Sequence, residues 1–271
     1  MSFNYEGFFS KEVEGLSEDI YDSNRKLFVI LKEYNKLGHK LKFDLKIHNN
    51  NAQEVTVSGL FILILNNLYS IYELTLRGLT KDAKIILRTM VEKLIILKYC
   101  SLEYKNSVQY LQQDELNRLK WMNTISENKI KGFSGGVLQS VTKEEIIELK
   151  AKIEESNIKK LPKLEDLSQI VGLEEMYSYV YRLCSSEIHA NPSTIESLFL
   201  IGSNNEINTI KWYPDIEEVK NDSNLILVPC IDIVDKVISV LIKLYEVDNL
   251  ENYEKEFSLL NNKFNDSLNP I

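Results

Sequence analysis

Residues 54–77 carry apolar side chains more than halfway round a helix, and this segment constrains everything else in the chain. Val57, Leu60, Phe61, Ile64, Leu65, Leu68, Ile71 and Tyr72 recur at the three- and four-residue steps of a helical face. A helix with so little polar surface has to be surrounded, so it is expected at the centre of a packed globule. Turn-forming residues are correspondingly scarce. Ten glycines and five prolines in 271 residues fall well below the usual shares of roughly 7% and 5%. Many-stranded sandwiches, barrels and propellers, which need a tight turn every few residues, are excluded. With 44% hydrophobic and 27% charged residues, disorder of the whole chain is excluded as well. The fold class expected is all-α, a helical bundle.

Charge and cysteine usage narrow the chemistry. Thirty-two Lys and Arg against 40 Asp and Glu give a net charge of −8, so the overall field repels phosphate. The basic clusters, Lys129–Lys131 and Lys159, Lys160 and Lys163, are small and lie among acids. Coating of long duplexes needs a broad basic surface, so any nucleic acid is expected in a local cleft. Cys100, Cys184 and Cys230 are far apart and odd in number. They read as buried, reduced thiols in a cytoplasmic protein, not as a disulfide framework. Cys184 and His189, five apart, do not share a helix face for zinc or a Cys–His dyad. The N-terminus lacks the basic and apolar regions of a signal peptide. The most apolar run, Leu60–Leu65, stops at Asn66 and Asn67, so no membrane span is expected.

The spacing predicts a first helix over residues 10–37, stopped by Gly38, and a loop over 38–53. Residues 1–53 thus form an N-terminal helix and loop ahead of a helical domain over 54–271, all in one continuous globular unit. Gly78 ends the helix at 54–77, and Thr80 is the expected cap of the next, at 81–102. A helix at 104–123 and an exposed glycine-containing loop at 124–141 follow. Thr142 and Glu145 form a capping-box pattern opening a highly charged helix to Ser156. A short helix at 162–171 ends at Gly172, and a helix over 173–190 is closed by Asn191-Pro192. Thr209–Tyr213 and Leu225–Val228 alternate weakly and predict a small β-hairpin near residues 209–228. Helices at 230–247 and 250–265 complete the chain.

Two constellations carry chemistry. In the helix over 173–190, Arg182 and His189 are seven residues apart, about 20° short of two turns, so both lie on one face with Ser185 and Ser186 between them. A guanidinium grips phosphate with paired hydrogen bonds, and a histidine exchanges protons near neutral pH. Together they suit metal-free phosphodiester cleavage, His189 moving protons and Arg182 stabilising the crowded phosphate. A histidine near a helix C-terminus also has a plain structural role, bonding the last carbonyls and offsetting the dipole, and both readings stay open. The second constellation is Arg88 and Glu92, at i and i+4 in a strongly apolar helix. It reads either as an intrahelical ion pair or as the lining of a cleft. In the second case Glu92 orients His189 or holds Arg182, and Arg88 is a further phosphate contact.

Arg88-Thr-Met-Val-Glu92 and the later Tyr181-Arg-Leu-Cys-Ser-Ser-Glu-Ile-His189-Ala-Asn-Pro192 resemble a bacterial family of helical proteins of unknown function. They are also similar to the HEPN (higher eukaryotes and prokaryotes nucleotide-binding) superfamily, whose signature is an Arg, four to six residues, then a His near a helix end. The resemblance covers residues 55–200. It implies a helical bundle that forms a homodimer, with the two Arg–His stripes in one composite cleft. It also implies a metal-independent endoribonuclease or toxin of a phage-defence or toxin–antitoxin system. Arg182 and His189 would be catalytic and Ser185, Ser186 and Glu187 would fill the spacer. RNA or another phosphate-bearing ligand would be the substrate, an antitoxin or defence protein the partner, and no cofactor is needed. The sequence departs from the family in lacking a basic flank around the motif. The competing expectation is a non-catalytic binding or sensor subunit of a defence complex, using the charged helix 142–156 and loop 124–141 as its contact surface. HExxH, phosphate-loop and Gly-x-Ser-x-Gly patterns are absent, which leaves a metal-dependent hydrolase the weakest reading.

Overall fold

The computed structural model describes residues 6–126, 141–185, 192–196, 199–201, 206–210, 216–248 and 250–268. Two helices, α1 (Glu12–Ser23) and α2 (Arg25–Asp44), replace the single helix expected over 10–37. The break is at Asn24, which leaves the helical region at φ −120°, ψ 20°. Gly38, expected as a stop, lies instead inside α2 and is buried against α3 (Ala52–Leu76). A Cβ at that position would stand 2.8 Å from Leu65 Cδ2. The glycine is there because two helices approach closely, and a turn signal read from sequence does not separate the two uses.

Asn51 opens α3, its side chain accepting hydrogen bonds from the backbone N–H groups of Gln53 and Glu54. Ten residues of α3 are buried, including Val57, Leu60, Phe61, Ile64, Leu65, Leu68 and Ile71, as the apolar pattern predicts. By length and composition alone α3 is apolar enough to cross a membrane, with a mean hydropathy of 1.5 over its most apolar 18 residues, and half of that stretch is buried inside the fold. The Leu60–Leu65 run therefore understates it. Asn67, which seemed to interrupt that run, is accommodated at a helix interface, where it donates to Thr89 Oγ1 at 3.0 Å.

Gly78 ends α3 at φ +73°. Its N–H bonds to the Thr75 carbonyl at 3.0 Å and that of Leu79 to Leu74 at 2.9 Å, satisfying the last carbonyls. Helix α4 (Thr80–Leu102) follows. Thr80 does not cap it; its hydroxyl turns to Asp222, which also takes the Lys84 ammonium at 2.8 Å. Helix α5 (Tyr104–Ser126) carries α6 (Lys143–Glu155) through a small separate cluster of Met122, Ile146 and Leu149. The capping box of α6 is formed as expected, with Glu145 Oε2 accepting from the Thr142 N–H at 2.8 Å.

Helix α7 (Leu164–Ile170) ends at Gly172, φ +66°. The segment expected as one regular helix from 173 begins as α8 (Glu174–Met176), widens into a π turn (Tyr177–Tyr181) and resumes as α9 (Arg182–Ser185). Its expected continuation to residue 190 lies outside the described residues. Pro192 starts the short α10 (Pro192–Glu196), the position where a missing N–H costs least.

The hairpin expected at 209–228 is corrected. Leu225–Val228 are helical, within α11 (Ile216–Leu244), which also contains Pro229. The antiparallel ribbon lies earlier, pairing β1 (Phe199–Ile201) with β2 (Ile207–Ile210). Ile226, Leu227, Cys230 and Ile231 are fully buried, so the apolar sequence around Pro229 serves a helix face. Helix α12 (Leu250–Leu268) packs on α2 and α11. The fold is all-α apart from the short ribbon. One hydrophobic core draws on residues from Leu16 to Phe264, and α4 lies at its centre, touching α3, α5, α7, α11 and the π turn with α9.

Candidate functional site

The site is built where α4 meets the π turn. α4 buries Leu87, Met90, Val91, Leu94 and Ile95, which fixes the helix rotationally and leaves Arg88 half-buried on the side facing α9. Arg88 Nε donates to Ser185 Oγ at 3.0 Å, and Arg88 Nη2 donates to the Tyr181 hydroxyl. The guanidinium carbon also lies 4.4 Å from the centre of the Tyr181 ring. Ser185 in turn donates to the Tyr181 carbonyl at 2.6 Å, so Arg88, Tyr181 and Ser185 form a closed polar knot across the helix interface. Among the described residues Arg88 is committed to this knot and makes no ion pair with Glu92. Glu92 lies one turn further along α4, also half-buried.

The aromatic residues extend the knot into a row. Tyr177 and Tyr181 stack at 5.0 Å with their planes 17° apart, and Arg182 lies 5.4 Å from the centre of the Tyr177 ring. The order across the row is Arg88, Tyr181, Tyr177, Arg182, two guanidiniums flanking two stacked rings. Cation–π contacts of this kind contribute about 0.5–2 kcal/mol each, more as water is excluded. Arg182 is exposed and ion-paired to Glu165 of α7, Nη2 to Oε1 at 2.7 Å, with side-chain exposures of 58% and 49%. An exposed pair like this contributes little and exchanges readily for another anion.

Electrostatics in the row run both ways. Burial pushes the Tyr181 hydroxyl above its ordinary pKa, the positive charge of Arg88 opposes that, and the Glu92 carboxylate adds to it. Lys93, next to Glu92, is held below its ordinary value by burial, partly offset by Glu92. Glu92 thus acts on both neighbours through its charge. Among the described residues no cluster of three or more His, Cys, Asp or Glu side chains is disposed to hold a metal ion.

Of the residues singled out from sequence, Arg88 and Ser185 are brought into contact, Glu92 lies on the same helix one turn away, and Arg182 faces outward to Glu165. His189, Ser186 and Glu187 lie outside the described residues. Tyr177 and Glu165 were not foreseen, and Tyr181 stood at the head of the motif without a role. The tyrosines had a visible signal, two aromatics four apart immediately before Arg182; Glu165 had none beyond an acid in the first turn of α7.

This whole constellation falls within one matched segment. The model of a family of unknown function, DUF5677, matches residues 54–207, more than half of the chain. The chain belongs to this family. The matched span runs from α3 through α4, the π turn and α9 to the start of β2, and so includes Arg88, Glu92, Arg182 and Ser185. Helices α1, α2, α11 and α12 lie outside it. No curated protein and no solved structure matches the chain.

Proposed function

We propose that this chain is a HEPN-like, metal-independent endoribonuclease or toxin, acting in the cytoplasm as part of a phage-defence or toxin–antitoxin system. The observation that carries the reading is the row of Arg88, Tyr181, Tyr177 and Arg182. If Arg182 leaves Glu165 and the Tyr177 ring for a phosphate, the outer face of Tyr177 is uncovered for an unpaired base, which meets the two requirements of a single-stranded RNA site. The π turn supports it too, because such widened turns recur at functional sites. In the proposed reaction Arg182 leaves Glu165 for the scissile phosphate and stabilises its developing charge. His189 takes the proton of the ribose 2′-hydroxyl and returns one to the leaving oxygen. Two copies of the chain would place two such stripes in one cleft, which concentrates positive charge in a protein that is acidic overall.

The test is RNA cleavage by the purified protein in the presence of EDTA, repeated with Arg182→Ala and His189→Ala. Both variants should be folded and inactive. Full activity in either one removes the assignment.

One observation favours a second reading, a non-catalytic binding or sensor subunit. Both arginines of the row already have internal partners, Arg88 in Ser185 and Tyr181 and Arg182 in Glu165. Helix α6 is also attached through its own small cluster, like a module that serves a contact. On this reading His189→Ala lowers the melting temperature instead of an activity, and deletion of residues 124–156 abolishes partner binding.

A further inference from the structure

Away from the arginine row, a cleft of about 680 Å³ opens between the C-terminal half of α5 and the connection leading into α7. Its volume falls in the range of small-molecule sites. Leu116, Leu119 and Leu161 supply apolar surface, Asn117 and Asn123 supply amides, and Lys120 and Lys160 supply two ammonium groups, with Gln113 and Thr124 completing the lining. No acidic side chain is among these lining residues, in a chain whose net charge is −8. The separation of charge is therefore local and deliberate: two cations beside leucines and neutral donors.

The wall of the cleft is pre-formed. Gln113 Nε2 donates to the Lys159 carbonyl at 2.8 Å, and its Oε1 accepts from the Leu161 N–H at 3.1 Å. Gln109 Nε2 donates to the Lys160 carbonyl at 3.2 Å. Two glutamine side chains thus bind the 159–161 backbone to α5 much as a neighbouring strand would, holding Lys160 and Leu161 in place. With this backbone wall already in place, ordering on binding is left to exposed side chains such as Lys120 and Lys160, which limits the loss of affinity.

We infer that this cleft binds a mononucleotide, its base against the leucines with its edge read by Asn117 and Asn123, and its phosphate held by Lys120 and Lys160. The apolar surface and the carboxamides have no use for inorganic phosphate, and the two lysines have no use for a neutral base. A nucleotide satisfies both. This assignment gives Lys160, one of the Lys159, Lys160 and Lys163 cluster, a role that the arginine row does not require.

The experiment is calorimetric titration of the full chain with AMP, GMP, CMP and UMP in turn, with inorganic phosphate as a separate arm. It is carried out on the Arg182→Ala/His189→Ala protein, so that failure of the proposed ribonuclease site does not affect the outcome. At least one nucleotide should bind at one site per chain, and tenfold or more tighter than phosphate. Lys120→Ala and Lys160→Ala should each weaken it about tenfold, while Lys163→Ala leaves it unchanged. No binding of any nucleotide at millimolar concentration, equal binding of phosphate, or affinity untouched by both lysine variants would overturn the inference.

Discussion

Arg88 on α4 and Ser185 on α9 are 97 positions apart in sequence and hydrogen-bonded at 3.0 Å. Through this contact the central helix of the core holds the segment that presents Arg182. Removing the Arg88 side chain leaves Ser185 and Tyr181 without their donor in a half-buried interface, so Arg88→Ala should destabilise the protein by about 2 kcal/mol. Arg182→Ala loses only an exposed ion pair and should change stability by less than about 0.5 kcal/mol. Urea denaturation of the two variants checks the contrast, and equal losses would count against the knot.

The glycines of α2 and α3 make opposite predictions. Gly38 is pressed against Leu65, whereas a Cβ at Gly59 meets nothing within 4 Å. Gly38→Ala should cost about 1–2 kcal/mol, because overpacking exceeds the gain in helix propensity. Gly59→Ala, in mid-helix and exposed, should stabilise by about 0.5–1 kcal/mol. Thermal melts of both variants decide this; a stabilised Gly38→Ala protein would show that the α2–α3 approach is looser than described.

The three cysteines are buried thiols outside any disulfide. Burial pushes the Cys100 thiol up to about 11, with Ser107 opposing it, and raises Cys230 further. At pH 8 these two stay neutral as well as covered, so a thiol reagent should label the native chain slowly and all three sites at once after unfolding. Rapid labelling of Cys100 or Cys230 in the native chain would contradict the packing of α4 on α11.

Acid stability should report the capping box. The Thr142 N–H and hydroxyl hold the Glu145 carboxyl below its ordinary value of 4.5. A group whose folded value is depressed contributes stability that is present above the unfolded value and lost as pH falls through the folded one. Wild-type melting temperature should therefore fall more steeply below pH 4.5 than that of Glu145→Gln, the two curves converging in acid. Parallel curves down to pH 3 would mean that the box is not formed in solution.

Much of the fold was legible because its signals are local. The apolar wheel of 54–77, the glycine stops at 78 and 172 and the Thr142–Glu145 pair each depend on residues within a turn or two, and each forms as read. Gly38 misled because its cause, Leu65, is 27 positions away. Leu225–Val228 misled because a short apolar run beside a proline fits a strand or a buried helix equally well, and only the surrounding core decides between them. Within the site, Arg88 was visible as a charge in an apolar helix, but its partners were not: the contact to Ser185 depends on how two distant helices dock. The π turn was invisible as well, since a 100° wheel assumes regular geometry through Tyr177–Tyr181, whereas Arg182 and Ser185 follow it in α9, about 60° apart round the helix. In the fold, Ser185 turns inward to Arg88 while Arg182 turns outward to Glu165.

In the proposed reaction Arg182 and His189 together cleave RNA without a metal. The most direct measurement is single-turnover cleavage of a single-stranded RNA in EDTA by the wild-type protein and by Arg182→Ala and His189→Ala. Wild-type should cleave, and each variant, still folded by circular dichroism, should be slower by about 100-fold or more. Cleavage at the wild-type rate by either folded variant would contradict the account.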